Sequence, residues 1–309
     1  MYLKKISQGW TVLPVVLAML CFLVFPMRYT ESVREGISLW AASVLPATFP
    51  FLFLTAVFTS SKAYPRLTKA VAPAAGKLFR ISGAGGCAAI LSALSGYPVG
   101  ARTVYDLYTS GRIAQSERFR LAALCTTTGP MFMVGAVGAR MFQSAKLGWI
   151  LFLSHLLAVY TVCFFLRFTA KKPLNNETVL AIRKEDNDIL LNSVLSVLCV
   201  GGSIALFYAF GQMLADLGAF AGIENPVLSA LLRGLLEMTT GCKLLSQNST
   251  PLNLAIACFL VTFGGLCVIM QQLTFLKKAG IKTLPFLGVK LLQGLLAGGI
   301  CYAFCLLFS

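Results

Sequence analysis

Four short segments hold the residues able to do chemistry in an otherwise apolar chain. The first is Ser95-Gly96-Tyr97-Pro98-Val99-Gly100-Ala101-Arg102 and the second Thr126-Thr127-Thr128-Gly129-Pro130-Met131-Phe132. Two later segments, Glu237-Met238-Thr239-Thr240-Gly241-Cys242-Lys243 and Thr262-Phe263-Gly264-Gly265-Leu266-Cys267, repeat them in weakened form. The offsets are 241 − 100 = 141 for Gly100 and Gly241 and 264 − 129 = 135 for Gly129 and Gly264. Glycine and proline inside apolar stretches break helices and free backbone N–H and C=O groups. Freed N–H groups beside a guanidinium suit an anion, above all a carboxylate. Gly96, Tyr97 and Pro98, followed by Arg102, form such a set, unless Arg102 only reaches for the membrane boundary.

Arg233 and Glu237 are the only charges of their apolar segment, with Lys243 just beyond. Four residues apart, they either pair on one helix face or leave one group for substrate or a coupling ion. Glu237 is then the candidate for proton or sodium coupling, with Thr239 and Thr240 supplying hydroxyls. Thr127, Thr128 and Gly129 sit where Pro130 must kink or break a helix. Their hydroxyls either re-satisfy freed carbonyls or meet substrate. Gly264 and Gly265 do the same in the later copy, with Gln271 and Gln272 one to two turns on. His155, the only histidine, lies in an apolar run and reads as a hydrogen-bonded packing residue rather than a proton relay.

The elements that position these segments belong to a membrane. The 309 residues are 57% hydrophobic and 12% charged, with mean hydropathy +0.79, where a soluble domain carries about 25% charge. The formal charge of +15 does not indicate nucleic acid, because the basic residues sit in short loops between apolar runs. No H-E-x-x-H, G-x-S-x-G or P-loop pattern occurs, so no enzyme activity, metal or cofactor is expected. The ten cysteines form no C-x-x-C pair and mostly lie in apolar runs, as free thiols acting as small hydrophobes.

Apolar runs of about 20 residues mark spans, at 11–27, 37–58, 121–142, 147–166, 189–214, 252–273 and 284–308. Two interrupted stretches, 81–100 and 226–245, read instead as re-entrant helical hairpins. Charge placement favours that reading. With a cytoplasmic N-terminus, the loops around Lys62–Arg80, Arg102–Arg120, Arg167–Lys184 and Lys277–Lys282 all fall inside, but only if both hairpins return to the side they enter from. The expected fold is thus all-α and polytopic, with about seven transmembrane helices and two hairpins. An extra N-terminal helix occupies 1–30, with Lys4 and Lys5 before an uncleaved first span. A first repeat follows at 31–170, then a cytoplasmic linker at 171–186 and a second, inverted repeat at 187–309.

The segment from Ser95 to Phe142, Leu236-Glu237-x-Thr-x-Gly241, and Phe263-Gly264-Gly265-Leu266-x-Val268 with Gln271 resemble the YlbJ-like sporulation integral membrane proteins. That family resembles the wider group carrying the Gate, or nucleoside-recognition, domain, itself distantly similar to concentrative nucleoside transporters. The resemblance runs from about residue 36 to the C-terminus. It implies a protein of the bacterial cytoplasmic membrane of spore formers, in a sporulating cell the forespore membrane. It also implies movement of dipicolinate, an aromatic dicarboxylate whose charge suits Arg102, Arg233 and Lys243. Cys267 and the Ile269-Met270 pair depart from the more polar residues expected after Phe-Gly-Gly-Leu. The expected partners are therefore the lipid bilayer, a small anion and a coupling ion, with an oligomer or partner membrane protein also open. A nucleoside or nucleobase permease and a non-transporting gating or assembly subunit are the other readings.

Overall fold

The structure, a computed structural model, describes residues 2–97, 99–169, 188–220, 222 and 225–308, with the side chains of 2–12 and 308 left aside. Pro98 and the expected linker at 171–186 lie outside the described residues. The protein is an all-α polytopic membrane protein. Among the described residues, five helical stretches are long and apolar enough to cross a bilayer: Pro26–Ser60, Ala145–Thr169, Ile189–Phe220, Pro251–Leu276 and Thr283–Leu307. A bent pair, Ala63–Phe79 with Gly83–Ser95, makes a sixth if counted as one span.

These five stretches coincide with five of the seven expected spans; 11–27, whose first side chains are left aside, and 121–142 are not among them. After α1 (Tyr2–Val24), the chain turns at Phe25 into α2 (Pro26–Leu39), with proline at the first helical turn, where its missing N–H costs nothing. A π-helical turn at Trp40–Val44 joins α2 to α3 (Leu45–Ser60). The run 121–142 is divided by Thr126–Pro130 into α7 (Arg118–Cys125) and a π helix, Met131–Met141, each too short to span alone.

The stretch read as a basic loop before the first hairpin is instead a helix. α4 (Ala63–Phe79) buries Tyr64, Thr68 and Ala75 and exposes Arg66, Lys69 and Lys77. It meets α5 (Gly83–Ser95) at 91°. That amphipathic pattern fits a helix lying along the bilayer surface before the chain dips inward. α5 starts on a cap in which the Ser82 hydroxyl accepts from Gly85 N–H at 3.1 Å. It stops at Gly96, and α6 (Val99–Thr109) leads away, so these arms extend past the expected end at residue 100.

α8 (Ala145–Leu166) packs on the π helix and closes the first half. The second half opens with α9 (Ile189–Phe220). α10 (Pro226–Leu236), capped by Asn225, and α11 (Met238–Leu245) then form a tight helical pair over 226–245. α12 (Pro251–Phe263), capped by Thr250, breaks at Gly264 into α13 (Gly265–Leu276). α14 (Thr283–Phe308) packs against α12 and α8 and so ties the halves together.

Candidate functional site

The two broken spans leave backbone groups without helical partners, and side chains from the opposite half supply them. At the first broken span, Pro130 has no N–H for the carbonyl of Thr126, four residues earlier. Lys290 Nζ on α14 donates to that carbonyl at 2.7 Å. One turn on, Gln293 Nε2 donates to the Ala123 carbonyl at 3.0 Å. Both side chains are fully buried. An ammonium at the C-terminal end of α7 also meets the negative end of the helix dipole.

The tip of the α5–α6 hairpin rests directly on this break. Gly96 has φ +77°, and a Cβ there would come 2.7 Å from Gly129 N; one on Gly129 would come 2.6 Å from the Leu94 carbonyl. Backbone touches backbone, so neither position accepts a side chain.

The second broken span is built alike. Gly264 (φ +97°) ends α12, and Gly265 (φ +62°) starts α13 with space for a Cβ closed by the Gly234 carbonyl at 3.0 Å and Met238 N at 3.3 Å. That is the α10–α11 tip. The free carbonyls of Val261 and Thr262 receive the Tyr97 hydroxyl at 3.1 and 3.3 Å, from the other hairpin. Tyr97 accepts in turn from Lys290 Nζ at 3.4 Å. His155 on α8 ties the two breaks: its Nε2 accepts from Thr128 N–H at 3.3 Å and Nδ1 faces Thr262 Oγ1 at 3.0 Å. With Nε2 an acceptor, a neutral ring carries its proton on Nδ1 and donates it to Thr262.

Two cavities adjoin this junction. A small one, about 30 Å³, lies among Gly96, Tyr97, Thr128, Glu237, Thr239 and Gln271, with room for a water rather than an organic ligand. The other, about 490 Å³, runs beside α3, α6, α9 and α13 and is lined by Arg102, Asn192, Ser193, Ser196, Gln271 and Thr274, among others. Gln271 and Val200 border both. A volume in this range matches small-molecule sites generally. The ligand-sized space therefore lies alongside the hairpin arm, not at its tip.

Known proteins bear on this arrangement. The chain is 28% identical over 311 aligned residues to the sporulation integral membrane protein YlbJ of Bacillus subtilis (strain 168), covering 88% of this chain and 76% of that protein. This similarity supports a YlbJ-like family. No family model matches the chain, and no solved structure matches it.

In this chain the structure gathers Gly96, Tyr97, Thr128, Gly129, Glu237, Thr239 and Gln271 around the small cavity. Thr127 and Thr240, both buried, adjoin them along the chain, and Gly264 and Gly265 lie against Tyr97 and Met238 in space. Other expected residues lie elsewhere. Arg102, with its side chain 33% exposed, lines the large cavity, 4.0 Å from Asp106. Arg233 does not pair with Glu237. Its guanidinium lies over the Tyr208 ring, 5.8 Å from the centroid, because Glu237 is turned away into a cap. Both Glu237 oxygens accept, from Thr239 N–H at 2.9 Å, Thr240 N–H at 2.7 Å and Thr240 Oγ1 at 2.8 Å. Lys243 is exposed toward the far end of α11. Lys290 and Gln293 escaped the sequence reading, which took 284–308 as an uncharged span. A lone lysine in an apolar run is itself the missed signal, since ionisable groups at membrane depth are costly.

Proposed function

We propose that the protein is a transporter for a small organic anion, working by alternating access around its two hairpins and two broken helices, with dipicolinate as the substrate during spore formation. One observation carries this reading. Four helix breaks meet at a single polar junction beside a cavity of about 490 Å³ that holds Arg102. Broken helices facing one another at mid-depth are the usual substrate and ion sites of inverted-repeat transporters. The similarity to a sporulation integral membrane protein supports the cellular setting. The N-terminus is cytoplasmic in this reading, and the large cavity, which reaches Ser60 and Ile189 near the basic segments, opens to that side. In this reading the chain is a permease of the forespore or cytoplasmic membrane, driven by a coupling ion and catalysing no covalent step.

Uptake of labelled dipicolinate into proteoliposomes tests the reading. Arg102→Ala is expected to lower uptake at limiting substrate by about tenfold or more, the value of one charge-assisted hydrogen bond. Lys243→Ala should transport as wild type, since that side chain is exposed at the far end of α11. Unchanged uptake by Arg102→Ala would remove the anion site. Competition by uridine but not by pyridine dicarboxylates would favour a nucleoside permease. A stable complex with another membrane protein, and no flux by this chain alone, would favour a gating or assembly subunit.

A further inference from the structure

His155 and Lys290 are 290 − 155 = 135 residues apart, the offset that also relates Gly129 to Gly264 and Thr127 to Thr262. They therefore hold equivalent positions on α8 and α14, the helices that follow the two broken spans. Each reaches the break of the other half: His155 Nδ1 faces Thr262 Oγ1 at 3.0 Å, and Lys290 Nζ donates to the Thr126 carbonyl at 2.7 Å. The two positions do the same bridging work with different charge, a neutral-capable ring in one half and an ammonium in the other.

Unwound carbonyls in a discontinuous span are the ligands from which transporters build sites for coupling cations. At the first break those ligands are present and occupied. The Thr126 carbonyl and the Tyr97 hydroxyl, 2.7 and 3.4 Å away, both present oxygen to Lys290 Nζ. Two further oxygens, Thr127 Oγ1 on the residue after Thr126 and Gln293 Oε1 one turn from Lys290, are buried and without hydrogen-bond partners. None of the described ion pairs includes Lys290. Its Nζ faces oxygen dipoles and the C-terminal end of α7, the surroundings of a bound monovalent cation rather than of a salt bridge.

We propose that the Lys290 ammonium is a tethered cation occupying the place of a dissociable coupling ion at the first helix break. The break is held together without sodium, and removing the amine leaves a latent site for a small monovalent cation. The word coupling rests on the proposed transport function; the occupancy of the site does not.

The test is thermal unfolding of the purified full-length protein in detergent, in sodium, potassium, methylammonium or choline chloride at equal ionic strength. Wild type should melt at one temperature in all four salts. Lys290→Ala should melt several degrees lower in choline, and sodium or methylammonium should restore part of that loss in a saturable way. Lys290→Met fills the space without charge and should stay indifferent to the cation. A wild-type protein stabilised by sodium over choline would overturn the proposal, and this arm stands even where Lys290→Ala does not fold. A folded Lys290→Ala that responds to no cation would overturn it too. The readout is stability, so a protein that carries no anion can still pass, and failure of flux alone counts only against the transport reading.

Discussion

Replacing Gly100 with alanine is expected to abolish the folded protein. Gly100 lies on α6 where that arm crosses α7, and a Cβ there would come 1.8 Å from the Cys125 carbonyl and 2.8 Å from Ser92 Oγ. The first obstacle is backbone, so no rotamer change relieves it. Relief requires α6 to move off α7, which would lift the hairpin tip from Gly129 and loosen the Tyr97 contacts to the second break. Ordinary overpacking costs about 1–3 kcal/mol; this displacement should cost more, against a total stability of about 5–15 kcal/mol. Size-exclusion profiles of a fluorescent fusion would lose the monodisperse peak. Gly299→Ala is the matched control, since nothing lies within 4 Å of a Cβ at that site. A normal peak and wild-type melting temperature for Gly100→Ala would mean that α6 and α7 do not approach as described.

The positions of the breaks were legible because glycine and proline act locally. Gly96 and Gly264 each stop a helix by their own backbone chemistry, and Pro130, lacking an N–H, keeps α7 from running on into the next helix. The surface helix α4 was not legible, because its basic residues resemble a charged loop until the spacing of Tyr64, Thr68 and Ala75 is seen on one face. The junction itself was partly legible. Residues adjacent to a break, such as Tyr97 and Thr128, are fixed near the centre by sequence proximity. Lys290, Gln293 and the bridging role of His155 come from spans that pass the breaks without interruption, and only packing brings them there. The repeat offset carries the missing information: applied to His155, it points to Lys290.

Charge alone also did not show how three groups are arranged. Arg233 and Glu237 have the spacing of an ion pair, yet a helix begins at Met238, and a carboxylate next to exposed N–H groups caps it instead of reaching back. Lys243 follows along α11, and eight residues of helix carry that end of the hairpin away from the junction.

Glu237 gives the second large effect, and it separates support from coupling. Glu237→Ala leaves the N–H groups of Thr239 and Thr240 buried without acceptors, at about 1–3 kcal/mol each, so a loss of about 2–4 kcal/mol is expected in thermal or denaturant unfolding. Glu237→Ser removes the ionisable group but keeps a preferred N-cap, and should fall within about 1–2 kcal/mol of wild type. Both carboxylate oxygens accept within α11, so the cap by itself accounts for Glu237 at this position without a coupling role. Transport is therefore expected to survive in Glu237→Ser and to fail in Glu237→Ala in step with the lost fold. A serine variant that folds normally but carries no substrate would reverse this, because the cap would then have to open during the cycle and Glu237 would be the group that takes up the ion.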